Sequence, residues 1–336
     1  MKRGLVLGAG GLVGMGYHAG VLRALDKWGV DVTDADVIVG TSAGSVIASY
    51  MASGWAQTDF YEYAQGRHRD AIEEAERERR SPSPLFDPLW HSRNERVRRG
   101  IGSLFAVASS RGYLPRNLGG LIPGPVKRAF PSGLFSTERT RERLHLDLPT
   151  EWPRRSLFIC AADLYTGQRV VFGRDGAPEA PLPDAVLAST AIPGMFRPVR
   201  IGDRHYVDGG IVSATSLDLA VEEGCDHILC IAPLGFRSEG ELIVREPRIW
   251  PAMFARGLFA RTLAREVRDA RNRGVEVTVF RPWLKELRAQ GANTMRRFDR
   301  AAVTDAACEG ALQVLEENAD DPVIQAFSAR PAADAL

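Results

Sequence analysis

Val37-Ile38-Val39-Gly40-Thr41-Ser42-Ala43-Gly44-Ser45-Val46-Ile47 is the stretch on which the fold turns. Val37 to Val39 is a short β-branched run, which reads as a buried strand. Gly40 to Gly44 spells G-x-S-x-G, and Val46, Ile47, Tyr50 and Met51 then recur at helical spacing. Strand, tight turn and helix in this order form the setting of a nucleophile elbow. There the serine sits on a sharp turn, and small flanking residues let strand and helix approach. The same five residues also spell a plain Gly/Ser turn, and the chain has 33 glycines, so the neighbours decide.

Upstream, Gly4-Leu5-Val6-Leu7 is a second buried-strand signal. It runs into Gly8-Ala9-Gly10-Gly11-Leu12-Val13-Gly14, and Ala19, Val21, Leu22 and Leu25 carry a helix. The order β-α-β-α predicts a parallel sheet covered by helices. Two successive parallel strands then bring the glycine loop and the elbow to one carboxyl edge, where such sheets bind ligands. A dinucleotide fingerprint needs G-x-G-x-x-G. Counted from Gly8 the sixth residue is Val13, and counted from Gly11 the third is Val13, so both frames fail. No Gly-Lys-Ser/Thr follows, which excludes a Walker-type phosphate loop. What stays open to this loop is a set of free backbone N–H groups at a helix start, suited to an oxyanion or a phosphate. Gly10 and Gly11, with Ala43, are the candidate donors.

Downstream, residues 67–80 are a charge run expected to be helical and solvated. Residues 85–133 hold eight Lys/Arg (93, 96, 98, 99, 111, 116, 127 and 128) against Asp87 and Glu95, mixed with Leu85, Phe86, Trp90 and Ile101. This reads as a basic insertion over the sheet edge. It is either a lid or patch for anionic lipid, or an insertion whose apolar residues simply pack down. Strands are expected at 157–162, 169–172, 228–232 and 275–280, a hairpin near 197–207, and amphipathic helices at 249–272 and 299–317.

A serine nucleophile needs a base. His18, His68, His91, His145, His205 and His227 each read as scaffold or surface residues. Tyr206-Val207-Asp208-Gly209-Gly210 ends a strand in a Gly-Gly turn, where an aspartate alone predicts no more than an Asx-type turn.

Taken together, the glycine loop 8–14, Gly40-Thr41-Ser42-Ala43-Gly44, Asp163-Leu164-Tyr165-Thr166-Gly167, Ala188-Ser189-Thr190-Ala191-Ile192-Pro193-Gly194-Met195-Phe196-Arg197-Pro198 and Tyr206 to Gly210 resemble the patatin-like phospholipase family in order and spacing. The resemblance runs over residues 4–220. It implies a three-layer α/β fold with a mostly parallel central sheet flanked by helices. It implies a Ser42–Asp208 dyad without histidine, with loop 9–11 as oxyanion hole and Gly14, Gly40, Gly44, Gly209 and Gly210 as motif glycines. The implied activity is hydrolysis of acyl esters of lipids. The family loop usually carries three glycines and then, two residues later, Lys or Arg. Ala9 and Val13 replace one glycine and the basic residue here, so a weakly active or inactive lipid-binding protein on the same scaffold is the alternative.

The rest of the reading is bounded by composition. The 336 residues carry a net charge of +1, which gives no field for nucleic acid. Cys160, Cys225, Cys230 and Cys308 form no C-x-x-C pair and read as reduced core cysteines, with no metal site or cofactor expected. Met1-Lys2-Arg3 before the glycine loop lacks a signal-peptide core and cleavage site, so the expected location is cytoplasmic, with or without contact to a membrane surface. The acyl hydrolase domain is expected over 1–285, with the insertion at 81–135. A helical extension and tail follow at 286–336. Nothing in the sequence assigns an oligomeric state.

Overall fold

The computed structural model describes residues 1–80, 84–109, 133–237, 250–291, 293–295 and 299–328. Among the described residues the strands are β1 (Arg3–Leu7), β2 (Val37–Thr41), β3 (Ser156–Asp163), β4 (Arg169–Phe172), β5 (Val199–Ile201), β6 (Arg204–Asp208), β7 (His227–Ile231) and β8 (Glu276–Phe280). The helices, in chain order, are α1 (Gly11–Trp28), α2 (Ala43–Ala52), α3 (Gln57–Ala64), α4 (Arg69–Arg80), α5 (Arg93–Ser109), α6 (Glu138–Asp147), α7 (Leu182–Thr190), α8 (Asp218–Glu222), α9 (Trp250–Arg271), α10 (Leu284–Gln290), α11 (Arg300–Glu317) and α12 (Pro322–Phe327).

All strands join one sheet in the order β5-β6-β3-β2-β1-β7-β8, with β4 also paired to β3. The five strands from β3 to β8 in this order are mutually parallel. The β4 and β6 partners of β3 and the β5–β6 hairpin are antiparallel.

Side-chain alternation along the central strands explains the three layers. Leu5, Leu7, Ile38, Leu229 and Ile231 enter one core with Leu22 and Leu25 of α1, Ile47 of α2, Leu187 of α7 and Leu315 of α11. Val6, Val37, Val39, Ile228 and Cys230 face the other way, into a core with Leu219 of α8 and Leu263 of α9. A sheet buried on both faces requires near-continuous apolar strands, which is how these read. The expected fold class is the one observed.

Ala307, Leu315, Val323 and Phe327 of α11 and α12 join the first of these cores. A Cβ on Gly20 of α1 would sit 2.3 Å from the Thr304 carbonyl of α11, so only glycine permits this crossing. The root of the basic insertion is pinned as well. Leu134 and Phe135 donate their N–H groups to Met195 O, both at 2.9 Å, and Arg197 N–H donates to Phe135 O at 3.1 Å. Phe86 packs tilted against Phe135 and edge-on against Phe196, with ring centroids 5.5 and 5.2 Å apart. Arg111, Arg116, Lys127 and Arg128 of the insertion lie outside the described residues. All four cysteines are buried and unbridged. No helix among the described residues is long and apolar enough to cross a membrane.

Candidate active site

Sheet register alone puts the key side chains at one level. Thr41 of β2 pairs with Cys160 of β3, and the next β3 residue, Ala161, pairs with Asp208 of β6. Ser42, one step beyond Thr41, and Asp208 therefore flank β3 at the same height. On the other side of β2, Leu7 pairs with Gly40, so the loop that leaves β1 opens beside the elbow.

Ser42 adopts φ 54°, ψ −120°, a conformation that L-residues rarely hold. Several bonds impose it. Its N–H donates to Ser189 Oγ at 2.9 Å, and Ser189 Oγ–H donates to the Cys160 carbonyl at 2.6 Å. Its carbonyl accepts from Ser45 Oγ at 2.6 Å and from Ser45 N–H at 2.9 Å. Gly44 makes the approach of α2 to β1 possible, because a Cβ there would lie 1.9 Å from Leu7 O. A Cβ on Gly40 would likewise meet Ser45 Cα at 2.7 Å.

Asp208 closes β6. Its N–H donates to Ala191 O at 2.9 Å, and its Oδ1 accepts from Gly210 N–H at 2.7 Å. A Cβ on Gly209 would collide with Cys160 O at 2.4 Å, so the turn lies flat on β3. Ser42 and Asp208 are 3% and 5% exposed. Burial raises the Asp208 pKa from 3.8 to about 6, against the opposing effects of the nearby Ser42 hydroxyl and of the Gly210 N–H that bonds its Oδ1. Among the described residues, Gly210 N–H donates to this carboxylate, and none of its partners is a histidine. A carboxylate with its pKa raised toward neutrality, set beside a buried serine, is suited to take a proton from it.

The glycine loop lies against both. Gly210 stands beside Ala9, whose Cβ would be 3.3 Å from a Cβ on Gly210, and Gly14 faces Ala43. The N–H groups of Gly10, Gly11 and Ala43 have no protein partner among the described residues. The expectation for Ala9 is corrected: its N–H donates to Ala214 O at 2.7 Å and is unavailable to an oxyanion. Gly14 N–H is likewise used, bonding Gly10 O at 3.0 Å in the first turn of α1. Val13, where the family usually has a basic residue, is fully buried and donates its N–H to Thr294 O at 3.1 Å. A cation at this position would have to enter the core.

Sequence reading missed three supports of this arrangement. Ser189 lies inside a motif that gives it no role, and its signal is a fully buried hydroxyl near the end of α7. Ala214 and Thr294 act through backbone carbonyls, so their side chains carry no signal at all. The six histidines are elsewhere. His18 is buried behind the glycine loop, His145 Nε2 lies 3.3 Å from Asp184 Oδ1, and His205 Nδ1 lies 3.1 Å from the Tyr165 hydroxyl. Among the described residues no group of His, Cys, Asp and Glu is arranged to hold a metal ion.

Comparison with known proteins adds a family. The sequence model described as patatin-like phospholipase matches residues 5–221. An uncharacterized NTE family protein of Mycobacterium bovis is 24% identical over 229 residues, which is 68% of this chain and 30% of that protein. A Mycobacterium tuberculosis protein of the same description is 24% identical over 231 residues, with the same shares. The match thus spans under a third of the length of these curated relatives. Among solved structures, VipD from Legionella pneumophila is similar at a TM-score of 0.45 and 16% identity, covering 94% of this chain and 67% of that one. The ExoU–SpcU complex from the type III secretion system of Pseudomonas aeruginosa gives 0.38 and 18%, covering 94% and 51%.

Proposed function

Since the chain belongs to the patatin-like phospholipase family, we propose that it hydrolyses acyl esters of lipids with Ser42 as nucleophile and Asp208 as base. The observation that carries this reading is the pairing of a strained, buried serine with a buried carboxylate beside unpaired backbone N–H groups. Asp208 takes the Ser42 proton as Oγ attacks the ester carbonyl carbon. The oxyanion rests on N–H groups of Gly10, Gly11 and Ala43. Collapse of this intermediate breaks the ester C–O bond, and the leaving alkoxide takes the proton from Asp208. Water then gives a proton to Asp208 and attacks the acyl-enzyme. The carboxylic acid leaves, and Ser42 recovers its proton.

A fluorophosphonate probe tests this. Peptide mapping is expected to find the adduct on Ser42. The rate of labelling, and kcat/KM on a short p-nitrophenyl ester, should both fall below about pH 6 along a single-ionisation limb as Asp208 becomes protonated. A probe that leaves the protein unlabelled favours the lipid-binding alternative. A loss of turnover in His205→Ala or His227→Ala would replace the dyad with a histidine-based triad.

The same proposal assigns a lipid-facing surface. Arg93, Val97 and Ile101 follow at four-residue spacing on the outward side of α5, with Arg98 also exposed. Val97 is 56% and Ile101 41% exposed. Apolar residues flanked by arginine on a helix suit an anionic bilayer surface. The protein should co-sediment with phosphatidylglycerol-rich vesicles and not with pure phosphatidylcholine, and Val97→Glu with Ile101→Glu should abolish the binding. Equal recovery with both vesicle types, or unchanged recovery of the variant, removes this assignment.

A further inference from the structure

His18 is buried in the third turn of α1, and its Nε2 lies 2.8 Å from the carbonyl oxygen of Gly8. Its Nδ1 is buried with no partner among the described residues. Because a carbonyl only accepts, the ring proton is on Nε2 and Nδ1 carries a lone pair. Burial supports the neutral form, lowering the His18 pKa to about 4 against the opposing bond to Gly8.

The bond matters because of what else the Gly8 carbonyl belongs to. The Gly8 C=O and the Ala9 N–H are two ends of one rigid peptide plane. The N–H end is fixed to Ala214 O at 2.7 Å. The carbonyl end passes Gly44, where a Cβ would come within 2.9 Å of it, and ends on His18. Gly8 N–H, in the preceding plane, is fixed to Ile231 O at 2.8 Å. Of the N–H groups leaving β1, the first without a protein partner among the described residues is that of Gly10, followed by that of Gly11. Their direction is set by rotation at Ala9 and Gly10, starting from the clamped plane.

We infer that His18 is a positioning residue of the oxyanion loop. Its Nε2–H holds the Gly8–Ala9 peptide plane from the side opposite Ala214, so that the N–H groups of Gly10 and Gly11 keep their aim. The inference rests on the function proposed above. It assigns His18 no proton transfer and no contact with substrate. Without the clamp the plane can rock, and donors aimed at a transition state lose their pre-organisation before ground-state binding suffers.

The test compares His18→Leu with His18→Gln, whose side-chain amide can reach the same carbonyl. For His18→Leu the expected result is a fall in kcat of about 10- to 100-fold, with KM within about twofold, and a parallel fall in the fluorophosphonate labelling rate. His18→Gln should recover kcat to within about threefold of wild type. Long-range ¹H–¹⁵N NMR of the wild-type protein is expected to show His18 as the neutral Nε2–H tautomer, without titration from pH 5 to 8. A folded His18→Leu with wild-type kcat overturns the inference, as does a His18→Gln no better than His18→Leu. So does a His18 that carries its proton on Nδ1 or titrates near 6.5. If His18→Leu does not fold, the glutamine variant and the tautomer decide. A wild-type protein that is never labelled at Ser42 sinks the proposed function itself. Labelling at the wild-type rate in both His18 variants sinks the positioning role alone.

Discussion

Asp208→Asn is expected to lose ester turnover by about 10⁴-fold and, at the same time, to become more stable than wild type at alkaline pH. Both effects come from one buried carboxyl. The amide keeps the shape and can still accept the Gly210 N–H, but it cannot take the Ser42 proton. The stability effect follows from the raised pKa. In the folded protein Asp208 ionises near pH 6 because burial disfavours its charge, whereas the exposed carboxyl ionises near 3.8. Below 3.8 the group is neutral in both states and favours the fold relative to its charged form. As pH rises through about 6, that contribution is lost. A difference of about two pK units corresponds to roughly 3 kcal/mol at full ionisation. The stability of Asp208→Asn relative to wild type should thus climb by that order between pH 4 and pH 8, as read by urea denaturation at both ends. A stability difference flat in pH would mean that the carboxylate is not held as a buried charge. Turnover within tenfold of wild type in the folded variant would mean that another group is the base.

The sheet and the elbow were legible because they depend on local spacing. Val37 to Ile47 carries strand, turn and helix within one short stretch, and the strands expected at 4–7, 157–162, 228–232 and 275–280 are all present. Asp208 was a different case. An aspartate before two glycines signals an Asx-type turn, and its Oδ1 does make that bond to Gly210. Only the family resemblance pointed to a second role, because the distance from Ser42 in sequence is bridged by β3 lying between them. The bond that occupies the Ala9 N–H is hidden from the sequence for the same reason. The sequence presents Ala9 as an N–H in a glycine loop. Ala214, which consumes that N–H, acts through a backbone carbonyl that any residue would supply. The helical pattern at 299–317 was likewise visible without its partner. That α11 crosses α1 at Gly20 is a fact of packing, and its one local trace is a glycine in the middle of a helix.

Replacing Ser42 tests the chemistry and the strain of the elbow together. Ser42→Ala and Ser42→Gly both remove the only atom that can form the acyl bond, so each should lose turnover by at least about 10⁴-fold and all labelling at that position. They should differ in stability. Alanine inherits φ 54°, ψ −120° with a Cβ still in place, whereas glycine adopts positive φ without steric penalty. The turn has no easy escape, because its N–H is tied to Ser189 and its carbonyl to Ser45, while α2 is pressed onto β1 at Gly44. Ser42→Gly is therefore expected to exceed Ser42→Ala by roughly 1 kcal/mol in denaturant titration, glycine's extra unfolded-state freedom offsetting part of the relieved strain. Both variants lose the hydroxyl that helps to hold Asp208 ionised, so its pKa should move still higher in each. Turnover retained in folded Ser42→Ala would place the nucleophile elsewhere. An alanine variant as stable as the glycine variant would show that the elbow stores no strain, and the sharp turn would then be an ordinary feature of the chain with no bearing on the reactivity of its serine.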